Sequence, residues 1–508
     1  MRKNLAMFAM LSVIAFLLYG HALNNPFVFD DELQILKNDF VQNQDWRSIF
    51  SGSSFGSFGK SQAAGIYYKP LMTSAYAVLW QLGGGKSFAF HLFQLLIGIA
   101  NAFLFFRLLS RWVNAPIAFA AAAIFLIHPI NSEVLLYIAD LQDTLYLFLG
   151  LLAINLVQSK KSILLITFCM LASIFSKESG ILFIFAAPVY AFMFKKEDFR
   201  KIGLISIACL ALYLSIRFYI LQMTTLSYQM VPIASLNIID RMLHFPKIFF
   251  HYITTFLWPR QISLHQLWTI SSINFENFYK PLFGSLLFLA FIIWTFNKVA
   301  RPIRKWLLFF LVLLVLNTGL HSQIIVPLDA TVADRWFYLG SMALIGFFAI
   351  LVEQVANSIV KKRISLVLFL VVFTALSIRS YQRSLQWNSG IELLSEAFET
   401  SPYDPAYADA LGGEFYRIGN LDKAEFYFRK SATLEPMEWS AWNNLGTVEV
   451  QKGNETLAEK FYLKAIENDK YCIAVVNYVD FYISRNDGVN LKLTFAWPEA
   501  IFQIIQTF

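Results

Sequence analysis

Long apolar runs with few charges recur through roughly the first 380 residues, and they constrain the fold more than any other feature of this sequence. The hydrocarbon core of a bilayer is about 30 Å thick, which roughly 20 helical residues span. Of the 508 residues, 57% are hydrophobic and 15% are charged, whereas soluble domains average roughly 45–50% apolar and 25% charged residues. The sequence therefore predicts an all-α polytopic membrane protein rather than a large soluble core.

The apolar runs predict eleven transmembrane helices. The first, Leu5 to Tyr19, follows Arg2 and Lys3, and because no clear cleavage site follows it we interpret it as an uncleaved helix. The other ten lie at about 89–106, 114–128, 144–157, 162–176, 179–194, 202–220, 281–297, 306–320, 338–358 and 364–378. The run 243–258 is interrupted by polar residues and a proline, so it is either a further span or a helix in the membrane interface.

Basic residues orient these helices, because short cytoplasmic loops are enriched in lysine and arginine. The basic clusters are Arg107 with Arg111, Lys160–Lys161, Lys195–Lys201, Lys298–Lys305 and Lys361–Arg363. All of them share one side if the N-terminus is cytoplasmic and 243–258 does not cross. This arrangement places the C-terminal tail outside the cytoplasm, and it accounts for the net charge of +7 without nucleic-acid binding.

With this topology, five outer segments contain nearly every unusual polar residue of the membrane part: 23–88, 128–143, 176–180, 221–280 and 321–337. Charges near a bilayer are costly, so they tend to be functional or to lie at helix ends. The polar motifs are Phe29-Asp30-Asp31-Glu32, Tyr67-Tyr68-Lys69-Pro70-Leu71, His128 to Glu133 with Asp140 and Asp143, Ser176-Lys177-Glu178-Ser179-Gly180, and Ala333-Asp334-Arg335-Trp336-Phe337-Tyr338.

The carboxylates of these motifs are candidates for acid–base chemistry. Three consecutive acidic residues repel one another, which raises the affinity of at least one for a proton, a cation or a hydroxyl donor. Asp30 or Asp31 is a candidate general base, and together they are candidate ligands for a divalent cation. A solvated loop, or the N-cap of a helix starting at Leu33, explains the same residues. Asp140 and Asp143 are three residues apart and would share one face of a helix.

The cations of the motifs are candidate phosphate ligands. Arg335 carries the planar guanidinium that binds phosphate through two parallel hydrogen bonds. Lys69 and Lys177 could each meet an anionic substrate group. Anchoring at the membrane interface explains Lys69 and Arg335 about as well, and snorkelling side chains explain Lys177 and Glu178.

The tail after residue 383 has a different composition and repeats itself. Leu411-Gly412 recurs as Leu445-Gly446, a step of 34 residues, and Ala424 recurs as Ala458. This period predicts tetratricopeptide-type helix pairs over about 404–470 within a repeat region 384–488, hence an α-solenoid. Residues 489–508 form an apolar tail of unknown role. Cys169, Cys209 and Cys472 show no disulfide or metal-binding pattern.

The order of the motifs resembles the transmembrane and tetratricopeptide-repeat O-mannosyltransferases and their prokaryotic relatives, which are polyprenyl-phosphate-sugar glycosyltransferases of GT-C fold. Phe27-Val28-Phe29-Asp30-Asp31 is similar to the family's Phe-x-Phe-Asp-Asp pattern. The other similar segments are Tyr68 to Leu71, Phe90-His91, His128 to Glu133, Lys177 to Gly180, Ala333 to Tyr338 and Trp387. The family's Gly-Arg-Ala-Asp segment reads Asp140-Leu141-Gln142-Asp143 here, which keeps only the last aspartate.

This resemblance implies an inverting glycosyltransferase whose GT-C-like transmembrane domain covers residues 1–383. It implies Asp30 as the base and Asp31 as a supporting carboxylate or metal ligand. Arg335, Lys177 and Lys69 are the implied ligands of the donor phosphate, and the further site candidates are His128, Glu133, Asp143, Glu178 and Asp334. No cofactor other than a divalent cation is expected.

The implied reaction moves a sugar, mannose in the family, from a polyprenyl-phosphate donor to a hydroxyl of a protein or glycan, with the repeats as a possible acceptor site. Short loops, minimal repeats and the lack of a retention signal favour a prokaryotic inner membrane over the endoplasmic reticulum. A transporter or flippase for a lipid-linked sugar stays an alternative, although transporters place charges near the bilayer midplane. A membrane-anchored scaffold would explain the repeats but not the outer motifs.

Overall fold

The structure, a computed structural model, describes residues 2–56, 67–159, 162–220, 231–355, 358–468 and 473–484. The chain divides into two compact units, one up to Ser389 and one from Gly390 onward. The described residues form helices and contain no strand, since their one β-type pairing is an isolated bridge between Gln266 and Val332. The prediction of an all-α fold is confirmed.

Among the described residues of the first unit, eight helices are long and apolar enough to cross a membrane. They are Asn4–Asn24, Ser87–Leu109, Ile138–Gln158, Lys196–Phe218, Phe275–Lys298, Arg301–Leu320, Asp334–Val355 and Ile359–Asn388. Each coincides with one of the apolar runs of the sequence. The prediction of a polytopic membrane protein is therefore confirmed.

The three other predicted spans also form apolar helices, but of unusual geometry. Helix Ala115–Ile127 continues as Pro129–Leu136 after a bend of 55° at His128, as expected where a proline restricts the preceding residue. Helices Ile163–Ser176 and Glu178–Phe194 contain 14 and 17 residues. At about 1.5 Å per residue both are shorter than the hydrocarbon core of an average bilayer. Eleven crossings thus stays a prediction, with eight or nine supported by length and composition.

The interrupted run 243–258 lies in the helix Ile238–Leu257, which is not among the candidate spans. Its apolar side chains lie on one face, and Ile239 and Met242 are exposed. Such an amphipathic helix fits a position in the membrane interface.

Three of the basic clusters, those next to Trp112, Phe194 and Trp306, meet at one end of the helical unit. Trp112, which follows helix Ser87–Leu109, stacks on Trp306 with ring centroids 4.2 Å apart, and Phe194 stacks on Trp306 at 3.9 Å. In addition, Arg111 Nη2 donates to Ser159 Oγ at 3.5 Å, next to the predicted cluster 160–161, which lies outside the described residues. This packing places three of the basic clusters on the same side of the unit, and the orientation of that side in the membrane stays a prediction.

The second unit consists of antiparallel helix pairs. Its helices are Gly390–Thr400, Pro405–Arg417, Leu421–Leu434, Trp439–Gln451, Glu455–Asn468 and Ile473–Ser484. A Cβ atom on Gly412 would lie 2.6 Å from Phe428, and one on Gly446 would lie 2.7 Å from Tyr462. The repeated glycines therefore let each helix pair approach closely, as the 34-residue period predicted. The predicted apolar tail lies outside the described residues.

Candidate functional site

The acidic motif after the first helix docks against the turn that precedes helix Leu141–Gln158. Asp31 is fully buried, and its Oδ1 accepts a hydrogen bond from the backbone N–H of Ala139 at 2.8 Å. Its Oδ2 accepts one from the N–H of Val28 at 3.0 Å, within its own loop. Both carboxylate oxygens thus accept from backbone N–H groups, so the Asp31 side chain stabilises the conformation of the loop.

Asp30 points to a different set of neighbours. Its backbone N–H donates to the Tyr137 hydroxyl at 2.8 Å, and the charges of Arg335, His265 and Asp329 act on its carboxyl. Burial raises the pKa of the Asp30 carboxyl above its usual value, while the nearby Arg335 guanidinium opposes that rise. A carboxylate with a raised pKa binds a proton more readily near neutral pH, which suits a general base.

Arg335 lies at the start of the helix Tyr338–Val355 and is held by two acidic side chains. Its Nη1 donates to Glu133 Oε1 at 2.9 Å and to the carbonyl of Leu264 at 2.9 Å, and its Nε lies 3.6 Å from Asp140 Oδ1. Glu133 and Asp140 are buried, and each has a second oxygen, Oε2 and Oδ2, without a hydrogen-bond partner among the described residues. The guanidinium is therefore fixed in orientation inside an environment rich in acceptors.

Lys177 and Asp143 form a second buried ion pair beside the first. Lys177 Nζ lies 2.7 Å from both oxygens of Asp143, and the two side chains are 11% and 1% exposed. Lys177 sits in the tight turn after helix Ile163–Ser176. The turn needs Gly180, because a Cβ there would lie 2.4 Å from the backbone of Ser173.

Lys69 precedes the helix Pro70–Gly83 and is buried without forming an ion pair with any carboxylate in the described ranges. Its ammonium lies 4.4 Å from the centre of the Tyr67 ring. Burial lowers the pKa of the Lys69 ammonium, and the nearby negative charge of Glu178 opposes that effect. Glu178 itself is bound by Arg217 Nη1 at 3.0 Å.

Most of the predicted site residues thus belong to one cluster at one end of the helices. The structure brings together Asp30, Asp31, Lys69, Glu133, Asp143, Lys177, Glu178 and Arg335. This is the end opposite to the stacked Trp112 and Trp306. Asp140 and Asp143, expected on one helix face, instead bind different cations, because a turn of 3₁₀ helix ends at Asp140 before the longer helix begins.

Two predicted residues serve the surrounding backbone instead. His128 stacks on Phe256 with ring centroids 4.8 Å apart, and its two ring nitrogens contact the Phe256 carbonyl and the Ile130 N–H. Asp334 lies 3.0 Å from His251 Nε2 and accepts from the N–H of Ser263 at 2.9 Å. Both residues fix the segment 251–264 against the turn that carries Arg335.

The sequence did not indicate Tyr137, Arg217, His265 or Asp329 as site residues. Arg217 had a usable signal, since it is a charged residue near the end of the apolar run 202–220. The others lie in ordinary loop or turn positions and reach the cluster only through the tertiary fold.

The residues present give little support to a metal site. No group of three or more potential metal ligands occurs among the described residues. Because Asp31 uses both oxygens for backbone N–H groups, Asp30 and Asp31 do not form a ready pair of ligands.

The chain is similar over most of its length to protein O-mannosyl-transferases. It is 21% identical to protein O-mannosyl-transferase TMTC3 of Mus musculus over 92% of this chain and 56% of that protein. A Caenorhabditis elegans protein O-mannosyl-transferase is 23% identical over 85% of this chain and 63% of that protein. A Drosophila melanogaster protein O-mannosyl-transferase, Tmtc2, is 31% identical over 24% of this chain. The resemblance inferred from the order of the motifs is confirmed.

The tail is similar to a known repeat family as well. Residues 440–472 match the tetratricopeptide repeat model. The matched part of this chain spans 56% of the length of the mouse relative and 63% of the length of the Caenorhabditis elegans relative.

Proposed function

We propose that this chain is a membrane-bound glycosyltransferase that moves a sugar, mannose by analogy with its relatives, from a polyprenyl-phosphate carrier to a hydroxyl acceptor. The observation that carries the proposal is the cluster of buried charges at the helix ends, in which the Arg335 guanidinium binds Glu133 and Asp140 and its charge acts on the Asp30 carboxyl. A transferase of this kind needs a base for the acceptor and a cation for the departing phosphate. A transporter would favour charges near the bilayer midplane.

The proposed reaction is a single displacement that inverts the anomeric carbon. The acceptor hydroxyl gives its proton to the Asp30 carboxylate as its oxygen forms a bond to the anomeric carbon. The bond between that carbon and the phosphate oxygen breaks, and its electron pair leaves with the polyprenyl phosphate. Asp30 later releases the proton to solvent. General base catalysis of this kind contributes about 10²–10⁴-fold.

The cations of the cluster differ in how available they are for the phosphate. Lys177 is bound to both oxygens of Asp143, so we assign it to shaping the site. Lys69 has no carboxylate partner within the described residues and is the more available cation. Arg335 is held in orientation by Glu133 and Asp140 and would stabilise the charge that develops on the phosphate.

We further propose that the cluster faces the outside of the membrane, with the N-terminus in the cytoplasm. A protein serine or threonine is the expected acceptor, because the relatives are named as protein O-mannosyl-transferases. The repeat region is the expected binding surface for that protein. The prokaryotic inner membrane stays our prediction for the location, although the relatives that we compared are eukaryotic.

The test is an Asp30→Asn variant, assayed with labelled polyprenyl-phosphate sugars and hydroxyl acceptors. The amide keeps the size of the side chain but accepts no proton near neutral pH, so transfer should fall at least about 10²-fold. Donor binding, measured in parallel, should change little. The matched control is Glu32→Gln, since Glu32 is 40% exposed and pairs with Lys37 at the surface. Transfer by Asp30→Asn at the wild-type rate would overturn the mechanism.

A further inference from the structure

Tyr137 is held firmly from several sides. It follows the helix Ser132–Leu136, and its backbone N–H donates to the carbonyl of Glu133 at 2.8 Å. Its carbonyl accepts from Gln94 Nε2 at 2.6 Å. The ring is 3% exposed and lies 5.4 Å from the ring of Trp387. Its hydroxyl group therefore has a fixed position.

The Tyr137 hydroxyl acts on Asp30 in two ways. Its oxygen accepts a hydrogen bond from the backbone N–H of Asp30 at 2.8 Å. The same hydroxyl lowers the pKa of the Asp30 carboxyl, against the effect of burial. A tyrosine hydroxyl carries one proton besides the lone pairs that accept, so it can bind the backbone N–H and still favour the charged form of a nearby carboxylate.

The loop before Asp30 needs such support. Phe29 has a φ of +52°, in the left-handed region that bulky residues rarely adopt. Its ring stacks on His265 with centroids 6.4 Å apart. Asp31 anchors the loop on one side of Asp30 through Ala139, and Tyr137 anchors Asp30 itself.

We propose that Tyr137 is a positioning residue for the Asp30 base: its hydroxyl binds the Asp30 backbone N–H and so fixes the position of the carboxylate that receives the acceptor's proton. The inference rests on the proposed function, because it assumes that Asp30 is the base. It adds a residue that touches no reacting atom and acts only through Asp30.

The consequence for pH dependence has a definite sign. The Tyr137 hydroxyl favours the charged form of Asp30 and so lowers the pKa of that carboxyl. Tyr137→Phe removes this hydroxyl, so the pKa rises and the acid limb of kcat/KM moves to higher pH. The other groups that act on Asp30 are unchanged in the variant: Arg335, His265, Asp329 and Asp31.

The experiment compares Tyr137→Phe with Tyr76→Phe in the full chain. Tyr76 is a matched control, because its buried hydroxyl donates to the carbonyl of Ile138, on the same turn. The bond between the Asp30 N–H and the Tyr137 hydroxyl joins neutral groups, and such a bond corresponds to about a two- to tenfold effect, so kcat of Tyr137→Phe should fall by about that factor. The acid limb should move to higher pH by up to about one unit, with donor KM nearly unchanged. Tyr76→Phe should keep the wild-type limb.

A loss of kcat with an unmoved acid limb would overturn the inference, since a purely structural role predicts that result. So would wild-type kinetics. Should Tyr137→Phe fail to fold, 3-fluorotyrosine at position 137 supplies the second test, because its more acidic hydroxyl is a stronger donor. It should move the acid limb to lower pH, opposite to phenylalanine, and an unmoved limb would again overturn the inference.

Asp30→Asn separates this inference from the proposed function. If Asp30→Asn transfers sugar normally, the proposed function fails and the inference fails with it. If Asp30→Asn is inactive while Tyr137→Phe keeps the wild-type acid limb, only the role of Tyr137 is overturned.

Discussion

The membrane unit and the repeat unit each place a carboxylate between helices, and they compensate its charge in different ways. Asp143 meets the ammonium of Lys177 at 2.7 Å through both oxygens. Asp409 instead accepts from the amide of Asn444, at 3.1 and 3.4 Å. Burial raises the pKa of Asp409 to about 7, and the hydrogen bond from Asn444 only partly opposes the rise. The membrane unit thus compensates the charge of Asp143 with a cation, whereas in the repeat unit a raised pKa favours the protonated form of Asp409.

This difference indicates which buried charges have a role other than stabilising the fold. A buried ion pair is costly to desolvate and is often no more stable than an apolar pair of the same size. The membrane unit nevertheless retains several such pairs together, around Arg335 and Lys177. We interpret this concentration as a requirement of the site rather than of the fold.

Removing one partner of the buried pair should give the largest effect. Lys177→Met leaves the Asp143 carboxylate buried without its cation, which costs about 3–5 kcal/mol in comparable pairs. In a titration with a denaturing detergent, the variant should therefore unfold at a markedly lower detergent concentration than the wild type.

The double variant Lys177→Met with Asp143→Asn is the control. It removes both charges, so it should recover much of the lost stability while transfer activity stays low. Equal stability of the single and double variants would show that the charge of Asp143 is not what destabilises Lys177→Met.

The sequence predicted the two units to different depths. The repeats could be predicted because a 34-residue period places Gly412 and Gly446 against an aromatic ring in two successive units. The site motifs were accessible because charged residues such as Asp30 and Arg335 stand out next to apolar runs. The partners of these charged residues could not be predicted, since the ion pair between Arg335 and Glu133 joins positions 202 residues apart. Tyr137 carries no charge and no periodic signal, so only the tertiary fold connects it with Asp30.

Arg335→Lys should give an intermediate effect on the donor without a large loss of stability. Lysine keeps the positive charge but loses the planar fork, whose Nη1 donates to Glu133 and whose Nε lies 3.6 Å from Asp140. Donor affinity or turnover should fall by about tenfold or more, as expected for the loss of a charge-assisted hydrogen bond. Binding of a labelled polyprenyl-phosphate sugar measures the effect.

Arg379→Lys is the matched control for this prediction. Arg379 also holds backbone carbonyls, those of Pro259 and Arg260, at 3.0 and 2.9 Å. Donor binding should stay near the wild-type value in this variant. Wild-type donor binding in Arg335→Lys as well would return Arg335 to the role of an interfacial anchor.

Asp409→Asn should give the smallest effect, and one that depends on pH. Position 409 corresponds to Asn443 and Asn477 in the following repeats, where Asn477 Nδ2 donates to Asn443 Oδ1 at 2.9 Å. Between the pKa of an unfolded aspartate, about 4, and the folded value near 7, only the folded state keeps its proton. Stability of the wild-type repeats should therefore fall as pH rises across this window and then level off. Asparagine has no proton to lose, so the variant should lack this slope and should be the more stable protein at pH above 7.

Hydrogen exchange of helices Pro405–Arg417 and Trp439–Gln451 in the full chain, corrected for intrinsic rates, measures the difference. Asp422→Asn, which removes an exposed carboxylate of the same unit, is the control and should keep the wild-type slope. Identical pH dependence in the wild type and in Asp409→Asn would mean that Asp409 is as well solvated in the folded repeats as in the unfolded chain.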